Sequence, residues 1–196
     1  DKILQPRGLD HKIAFCGPTG TKAEEAALKL ARKKKQRSGI FAFTGSFHGM
    51  SMGSASVTSG INFSKSIGVN RVGVTFLPYP FGFYSTFDTI AYMEEVLKDN
   101  HSGVELPAAV ILETVQCEGG ICVAPVEWLK RLRALCDKYD ILLIVDDIQA
   151  GCGRTGNFFS FERAGIIPDM IILSKSISGY GLPMSLLLIR PVAATV

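Results

Sequence analysis

The sequence predicts an α/β fold: a mostly parallel sheet, seven-stranded and flanked by helices on both faces. Short β-rich apolar runs alternate along the chain with longer stretches of helical periodicity. Several of the runs are unbroken rather than alternating, as strands buried on both faces are. With 196 residues, no internal repeat and no low-complexity tract, the chain is long enough for one substantial core, so 1–196 is expected to form one domain.

The expected strands are Lys12–Phe15, Ile40–Phe43, Arg71–Phe76, Ala109–Glu113, Ile141–Val145, Met170–Leu173 and Ser185–Ile189. The expected helices are Thr21–Lys35, Thr86–Asp99 and Pro125–Tyr139. In the first, Ala23, Ala26, Ala27, Leu30 and Ala31 recur at helical spacing. In the third, Trp128, Leu129, Leu132, Leu135 and Cys136 form an apolar stripe, and Pro125 suits an early helical position. The stretch from Gly45 to Asn70, rich in Gly, Ser and Met, reads equally as part helix or functional surface segment.

Composition narrows the classes. The chain is 47% hydrophobic and 20% charged, which suits a soluble globular protein. Its apolar runs are far shorter than the ~20 residues of a membrane span, so no membrane partner is expected. A net charge of +3 gives no argument for nucleic acid. The basic run Arg32–Lys35 ends a predicted helix, where cations complement the dipole by about 0.3–1 kcal/mol. The start has neither Met nor an apolar leader, so it is expected to be internal to a longer protein. Five cysteines form no CxxC pair and no Cys/His ligand spacing; reduced thiols in a cytoplasm and no metal are expected.

Three places carry chemistry. Gly17-Pro18-Thr19-Gly20-Thr21 follows a strand and opens a helix, where free N–H groups and the helix dipole attract anions. It is neither a Walker A loop nor GxGxxG, and a tight strand–helix turn without a ligand would use the same residues. Asp146-Asp147-Ile148-Gln149 follows the run Ile141–Val145, and a carboxylate there needs a cation or donor. Ser174-Lys175-Ser176 follows Met170–Leu173, a setting for a nucleophilic or Schiff-base lysine. A structural Asp146–Lys175 ion pair is the plain alternative. An anion cradle, a buried acid and a lysine are together the parts that pyridoxal 5'-phosphate uses, at its phosphate, its pyridine nitrogen and its aldehyde.

Over nearly its whole length the chain resembles the class III aminotransferases of fold type I. The matching segments are Gly17–Thr21 with Ala26–Arg32, Phe47–Met50, Glu113–Gly120, Ile144–Gly156, Pro168-Asp169 and Ser174–Met184. Gly17–Thr21, Asp146-Asp147 and Ser174–Pro183 resemble the diaminobutyrate–2-oxoglutarate aminotransferases of ectoine biosynthesis. That resemblance implies transfer of an amino group from L-glutamate to L-aspartate-β-semialdehyde, giving L-2,4-diaminobutyrate and 2-oxoglutarate. It implies pyridoxal 5'-phosphate as cofactor, a small-molecule amino donor, a 2-oxo acid or aldehyde acceptor, and a homodimer or dimer of dimers in the cytoplasm. It also implies that 1–196 is the cofactor-binding large domain, with the N-terminal segment, the small domain and its gating arginine outside it.

By the same resemblance Lys175 is the Schiff-base lysine and Asp146 the partner of the pyridine nitrogen. Gly20 and Thr21 match the phosphate contacts, Phe47 the ring-stacking aromatic with His48 beside it, and Gln149 the residue near the ring hydroxyl. Glu113 and Glu118 match an inner and a gating carboxylate; on their own, Phe47 reads as a core aromatic and Glu118 as an exposed turn residue. Cys117 and Lys22 depart from the pattern, standing where Gly and Asn are usual. The alternatives are an ornithine or 4-aminobutyrate aminotransferase or a racemase of the same class, a catalytically silent cofactor-binding or interaction domain, and a nucleotide-binding α/β module.

Overall fold

In the computed structural model, which describes residues 2–65, 68, 71 and 73–194, strand β1 (Lys12–Gly17) leads directly into helix α1 (Gly20–Lys35). There follow β2 (Ile40–Phe43), the short helices α2 (Met52–Val57) and α3 (Ile61–Lys65), β3 (Val74–Leu77), α4 (Thr89–Lys98) and β4 (Ala109–Leu112). A hairpin of β5 (Val115–Gln116) and β6 (Cys122–Val123) precedes α5 (Val126–Lys138), β7 (Leu142–Asp146), β8 (Met170–Leu173), β9 (Ser185–Ile189) and α6 (Pro191–Ala194). The sheet has seven strands in the order β1-β9-β8-β7-β4-β2-β3. β9 runs antiparallel to both of its neighbours, β1 and β8, while the remaining pairs are parallel. Every strand except β9 therefore points its C-terminal end to one edge.

Side chains alternate across this sheet, and each face has its own core. Phe41, Phe43, Leu143, Val145, Ile171 and Leu173 pack under α4 and α5. Ile40, Ala42, Leu142, Ile144, Met170 and Ile172 pack under α1. That is why these strands read as unbroken apolar runs. Phe43 anchors one core edge-on to Trp128 of α5, with ring centroids 5.2 Å apart. The α5 stripe buries Trp128, Leu129, Leu132, Leu135 and Cys136 as its spacing predicts.

Most elements match the sequence reading to within a residue or two, and the larger differences have physical reasons. The strand expected at Arg71–Phe76 pairs only from Val74, opposite Ile40 where β2 begins. The helix expected from Thr86 starts at Thr89, because Asp88 caps it by accepting from Ala91 N at 3.0 Å. Pro125 lies just outside α5, as its N-cap residue with extended ψ. On α1 the buried stripe is Ala23, Glu24, Ala27, Leu28 and Ala31, turned so that Ala26 and Leu30 are only half-buried and a carboxyl group enters the core. The Gly45–Asn70 stretch contains α2 and α3; its residues 66, 67, 69 and 70, like Val72 of the expected strand, lie outside the described residues. None of the helices described is long and apolar enough to cross a membrane.

The basic end of α1 behaves as an ordinary helix terminus. Arg32 Nε donates to Ser38 O at 2.9 Å, Lys35 pairs with Asp140, and Arg37 Nη1 donates to Asp140 O at 2.9 Å. The five cysteines are free thiols.

Candidate active site

The edge where the parallel strands end gathers every polar segment singled out above. The turn after β1 brings the first turn of α1 to that edge. The first N–H groups of a helix lack intrahelical acceptors, and here Lys22 N is already taken by Thr19 O at 3.1 Å; Thr19 provides no side-chain cap, and the first turn carries no acid. The resulting partial positive charge faces an anion-sized recess. Gly20 lets α1 approach the β7 and β8 ends closely: a Cβ there would lie 2.5 Å from Ile148 Cδ1 and 3.4 Å from Ser174 Cβ.

Thr21 is held against the loop after β2. Its hydroxyl packs on Gly49, whose φ is +118° and whose missing Cβ leaves the space that Thr21 Oγ1 fills. A Gly49 Cβ would also stand 2.9 Å from Ser54 Oγ. Gly49→Ala therefore combines backbone strain with a clash and should cost about 1–3 kcal/mol. Urea unfolding checks this; the transition midpoint should fall with an unchanged slope, and an unmoved midpoint would refute the account.

Asp146 ends β7 and is buried. Its two oxygens are used differently. Oδ1 accepts from Ile148 N at 3.1 Å, and Oδ2 accepts from His48 Nδ1 at 2.9 Å. A carboxylate only accepts, so the Nδ1 proton of His48 is fixed by this contact. Burial pushes His48 toward the neutral form, but the Asp146 hydrogen bond, the Asp146 charge and Glu113 outweigh it and raise its pKa. His48 Nε2 has no partner among the described residues. The alternative reading, a structural Asp146–Lys175 ion pair, finds no support among the described residues, where His48 is the partner of Asp146. Behind the pair lies Glu24, fully buried, with Oε1 3.8 Å from His48 Nδ1.

Asp147, next along the chain, serves the scaffold. Its Oδ2 accepts from Ser160 N at 3.1 Å, Ser160 Oγ also donates to it, and Ser160 Oγ meets Thr114 Oγ1 at 2.5 Å. Burial raises its pKa to about 6 against those bonds.

The other carboxylates approach from β4 and the hairpin. Glu113 is buried and accepts from Phe47 N at 3.1 Å, which ties the aromatic to the site. Burial above all raises its pKa to about 7, with Asp146 adding to the rise while His48, Phe47 N–H and Lys175 oppose it. The Tyr79 hydroxyl donates to Glu113 O at 2.9 Å and to Thr114 O at 3.1 Å, fixing the backbone at that turn. Phe47 itself meets Phe63 edge-on at 5.1 Å. Glu118 is exposed in the β5–β6 turn, as its position before Gly119-Gly120 suggested, yet its Oε1 lies 3.5 Å from Gln149 Nε2.

Lys175 opens the turn after β8 with φ +49°, in the left-handed region where few non-glycine residues sit. Neighbouring hydroxyls pin that turn: Ser174 Oγ donates to Met184 O at 2.9 Å, and Ser178 Oγ accepts from Met184 N at 2.9 Å. Strain held by surrounding bonds is a common mark of functional positions.

A cavity of ≈ 150 Å³ joins these parts, lined by Gly20, Thr21, Phe47, His48, Asp146, Gln149 and Lys175 among others. Seven of the nine residues expected from the sequence thus share one recess. Glu113 stands behind Phe47, and Glu118 reaches the recess only through Gln149. Glu24 was missed, and Ile148, Ser174 and Gly49, though within the segments singled out, were given no role of their own. The last three have ordinary roles in close packing that spacing does not reveal, whereas Glu24 was hidden by reading α1 as an alanine stripe. A larger cavity, ≈ 540 Å³, opens at the opposite edge between Lys35, Arg133, Asp169 and Arg190. Its charges are matched in pairs, Arg133 with Asp169 and with Asp137 at 2.8 Å each, and it holds none of the chemistry singled out above.

The family model described as aminotransferase class-III matches residues 1–193. The chain is 57% identical over 189 residues to an uncharacterised aminotransferase of Sinorhizobium fredii, covering 96% of this chain and 42% of that protein. It is also 57% identical over 189 residues to a diaminobutyrate–2-oxoglutarate transaminase of Bordetella parapertussis, covering 96% of this chain and 43% of that one. Among solved structures, an amine transaminase of an uncultivated Pseudomonas species in its PLP-bound form superposes with a TM-score of 0.83 at 28% identity, over 93% of this chain and 44% of the other. The chain spans less than half the length of these relatives.

Proposed function

We propose, from the premise that the chain belongs to the class-III aminotransferase family, that it is the cofactor-binding large domain of a longer pyridoxal-phosphate-dependent transaminase. The observation that carries this reading is the recess itself: Asp146, Lys175 and the free amides of α1 converge on one cavity. The fit to the cofactor is chemical. The α1 amides suit a phosphate, the Asp146 carboxylate suits a protonated ring nitrogen, and the aromatic face of Phe47 suits a planar ring. Bound there, pyridoxal 5'-phosphate supplies an electron sink for the carbanion left when the substrate Cα loses its proton.

The chain's own residues supply the rest. Gly20 and Thr21 would hold the phosphate by backbone amides and the Thr21 hydroxyl. Asp146 keeps a proton at the ring nitrogen, with His48 behind it. Gln149 lines the cavity and would serve the ring hydroxyl, and Glu113 anchors Phe47. Lys175, which lines the cavity, would hold the cofactor through Nζ, and the same amine would carry the proton at the substrate Cα.

The proposed reaction moves an amino group from L-glutamate to L-aspartate-β-semialdehyde and yields L-2,4-diaminobutyrate and 2-oxoglutarate, within ectoine biosynthesis. The proposed setting is a cytoplasmic homodimer or dimer of dimers. Several relatives at 54–57% identity named diaminobutyrate–2-oxoglutarate transaminase support the substrate. Such a site must take a carboxylate in one half-reaction and an aldehyde end in the other. Glu118, at an exposed turn and in reach of Gln149, is the proposed gate, paired with an arginine from the remainder of the protein.

Single-turnover measurements with diaminobutyrate, ornithine, 4-aminobutyrate and glutamate test this on the full-length protein. Diaminobutyrate should react with the highest kcat/KM of the three ω-amines. Glu118→Ala should lower that half-reaction about tenfold or more relative to glutamate, because an unpaired arginine favours carboxylates. Faster reaction with ornithine or 4-aminobutyrate moves the protein to another substrate of the class. Failure to develop the absorption of bound cofactor on incubation with pyridoxal phosphate leaves only the silent domain.

A further inference from the structure

Glu24 is a carboxyl group beside the recess with no work yet assigned to it. It lies on the buried face of α1 with no exposed surface, and neither of its oxygens has a hydrogen-bond donor among the described residues. An ionised carboxylate in that position would be very costly. The groups that face it are Asp146 at the end of β7, His48 after β2, Glu113 after β4, and Glu25 on its own helix. Three of these four are acids. The one basic neighbour, His48, directs Nδ1 to Asp146 at 2.9 Å and leaves Glu24 at 3.8 Å. An oxygen of Glu24, an oxygen of Asp146 and His48 Nδ1 all lie within 4.8 Å of one another.

A missing donor and a surplus of acceptors are both resolved by one proton. We propose that Glu24 is a positioning residue whose carboxyl group stays protonated and donates a hydrogen bond to Asp146. This rests on the reading of Asp146 as the ring-nitrogen partner. A carboxylate offers about four lone-pair sites. With Ile148 N, His48 Nδ1 and the Glu24 hydroxyl as donors, three are occupied by the chain, which leaves one for a ligand in the cavity that Asp146 lines. Asp146 is thereby fixed in rotation and kept as an acceptor before any ligand arrives. Burial first, then the Asp146 charge and hydrogen bond, hold the Glu24 proton well above the ordinary carboxyl range, in keeping with this role.

The sign of the pH dependence follows. Folded Glu24 keeps a proton that the unfolded chain releases near 4.5, so its contribution to stability is full below that pH and is lost as pH rises through the folded value. Glu24→Gln offers a permanent N–H donor of the same shape and has no such loss. Glu24→Ala offers none.

The test uses the full-length protein, with and without cofactor. As pH rises from about 4.5, the unfolding constant of the wild type should grow tenfold per pH unit relative to that of Glu24→Gln. The infrared carbonyl band of a protonated carboxylic acid should be partly lost in cofactor-free Glu24→Gln at pH 7. Pyridoxal phosphate affinity should fall at least tenfold in Glu24→Ala and be restored in Glu24→Gln. A flat pH ratio, or an unchanged infrared spectrum, overturns the proposal. So does stoichiometric zinc binding by the wild type that Glu24→Gln abolishes, which would make the three donors a metal site. The pH and infrared readouts need no cofactor, so a failure of covalent attachment at Lys175 would sink the cofactor reading while leaving this hydrogen bond in place.

Discussion

Replacing Lys175 by alanine should abolish turnover, lowering kcat by about 10⁴-fold or more, the upper range for loss of a positioned proton carrier. The expectation comes from placement rather than from residue type alone. Lys175 follows a strand whose four residues are all buried, so its backbone is anchored. It is itself exposed at the recess, forms no ion pair among the described residues, and is held at φ +49° by a turn that Ser174 and Ser178 fasten to Met184. An amine so placed is available for covalent chemistry instead of being spent in a salt bridge. Lys175→Arg keeps the positive charge but cannot act as the amine nucleophile, and should be as inactive as alanine. Borohydride reduction of the loaded full-length protein, followed by peptide mapping, should find the pyridoxyl group on Lys175. Recovery of the label on Lys22 or Lys138, or more than a tenth of normal turnover in Lys175→Ala, would remove the central claim. Both substitutions should leave the unfolding midpoint nearly unchanged, since an exposed side chain outside any network contributes within about 0.5 kcal/mol.

Much of this was legible in the sequence because the strands are buried on both faces. Runs such as Ile141–Val145 and Met170–Leu173 cannot be amphipathic, so their unbroken apolarity announced both the strands and their coverage by helices. The polar residues that break those runs, Asp146 and Ser174-Lys175, then marked the strand ends where ligands bind in such sheets. The β5–β6 hairpin escaped notice: its strands are two residues long, too short for any period to show. Glu24 escaped for a different reason. A glutamate on a helix is ordinarily a solvated residue, and nothing in its neighbours Ala23 and Glu25 distinguishes it. Only the rotation of α1, set by close packing of Gly20 on Ile148 and Ser174, turns it inward and Ala26 partly out. The His48–Asp146 contact joins residues 98 positions apart, a separation that only strand order resolves.

The same network sets the second large effect. Asp146→Asn should keep the cofactor bound while lowering kcat by about 10²–10³-fold, the scale of losing a preorganised electrostatic partner. Asparagine preserves volume but has one acceptor oxygen, whereas Asp146 uses Oδ1 for Ile148 N and Oδ2 for His48 Nδ1. The amide nitrogen must therefore oppose either the Ile148 N–H or His48 Nδ1, and in both cases the negative charge that would hold a proton on the ring nitrogen is gone. The loss should appear in kcat with little change in KM, because the ring nitrogen matters to the reacting carbanion and not to substrate docking. His48 supplies an independent readout. Its pKa is raised chiefly through the Asp146 hydrogen bond and charge, against burial, so in Asp146→Asn its imidazole titration should move downward, by nuclear magnetic resonance. The pH-dependent stability difference that Glu24→Gln produces should also shrink on the Asp146→Asn background, since the like charge that penalises an ionised Glu24 is absent there. A near-normal kcat in Asp146→Asn would refute the ring-nitrogen role. An unmoved His48 titration would separately refute the contact on which the positioning of Asp146 depends.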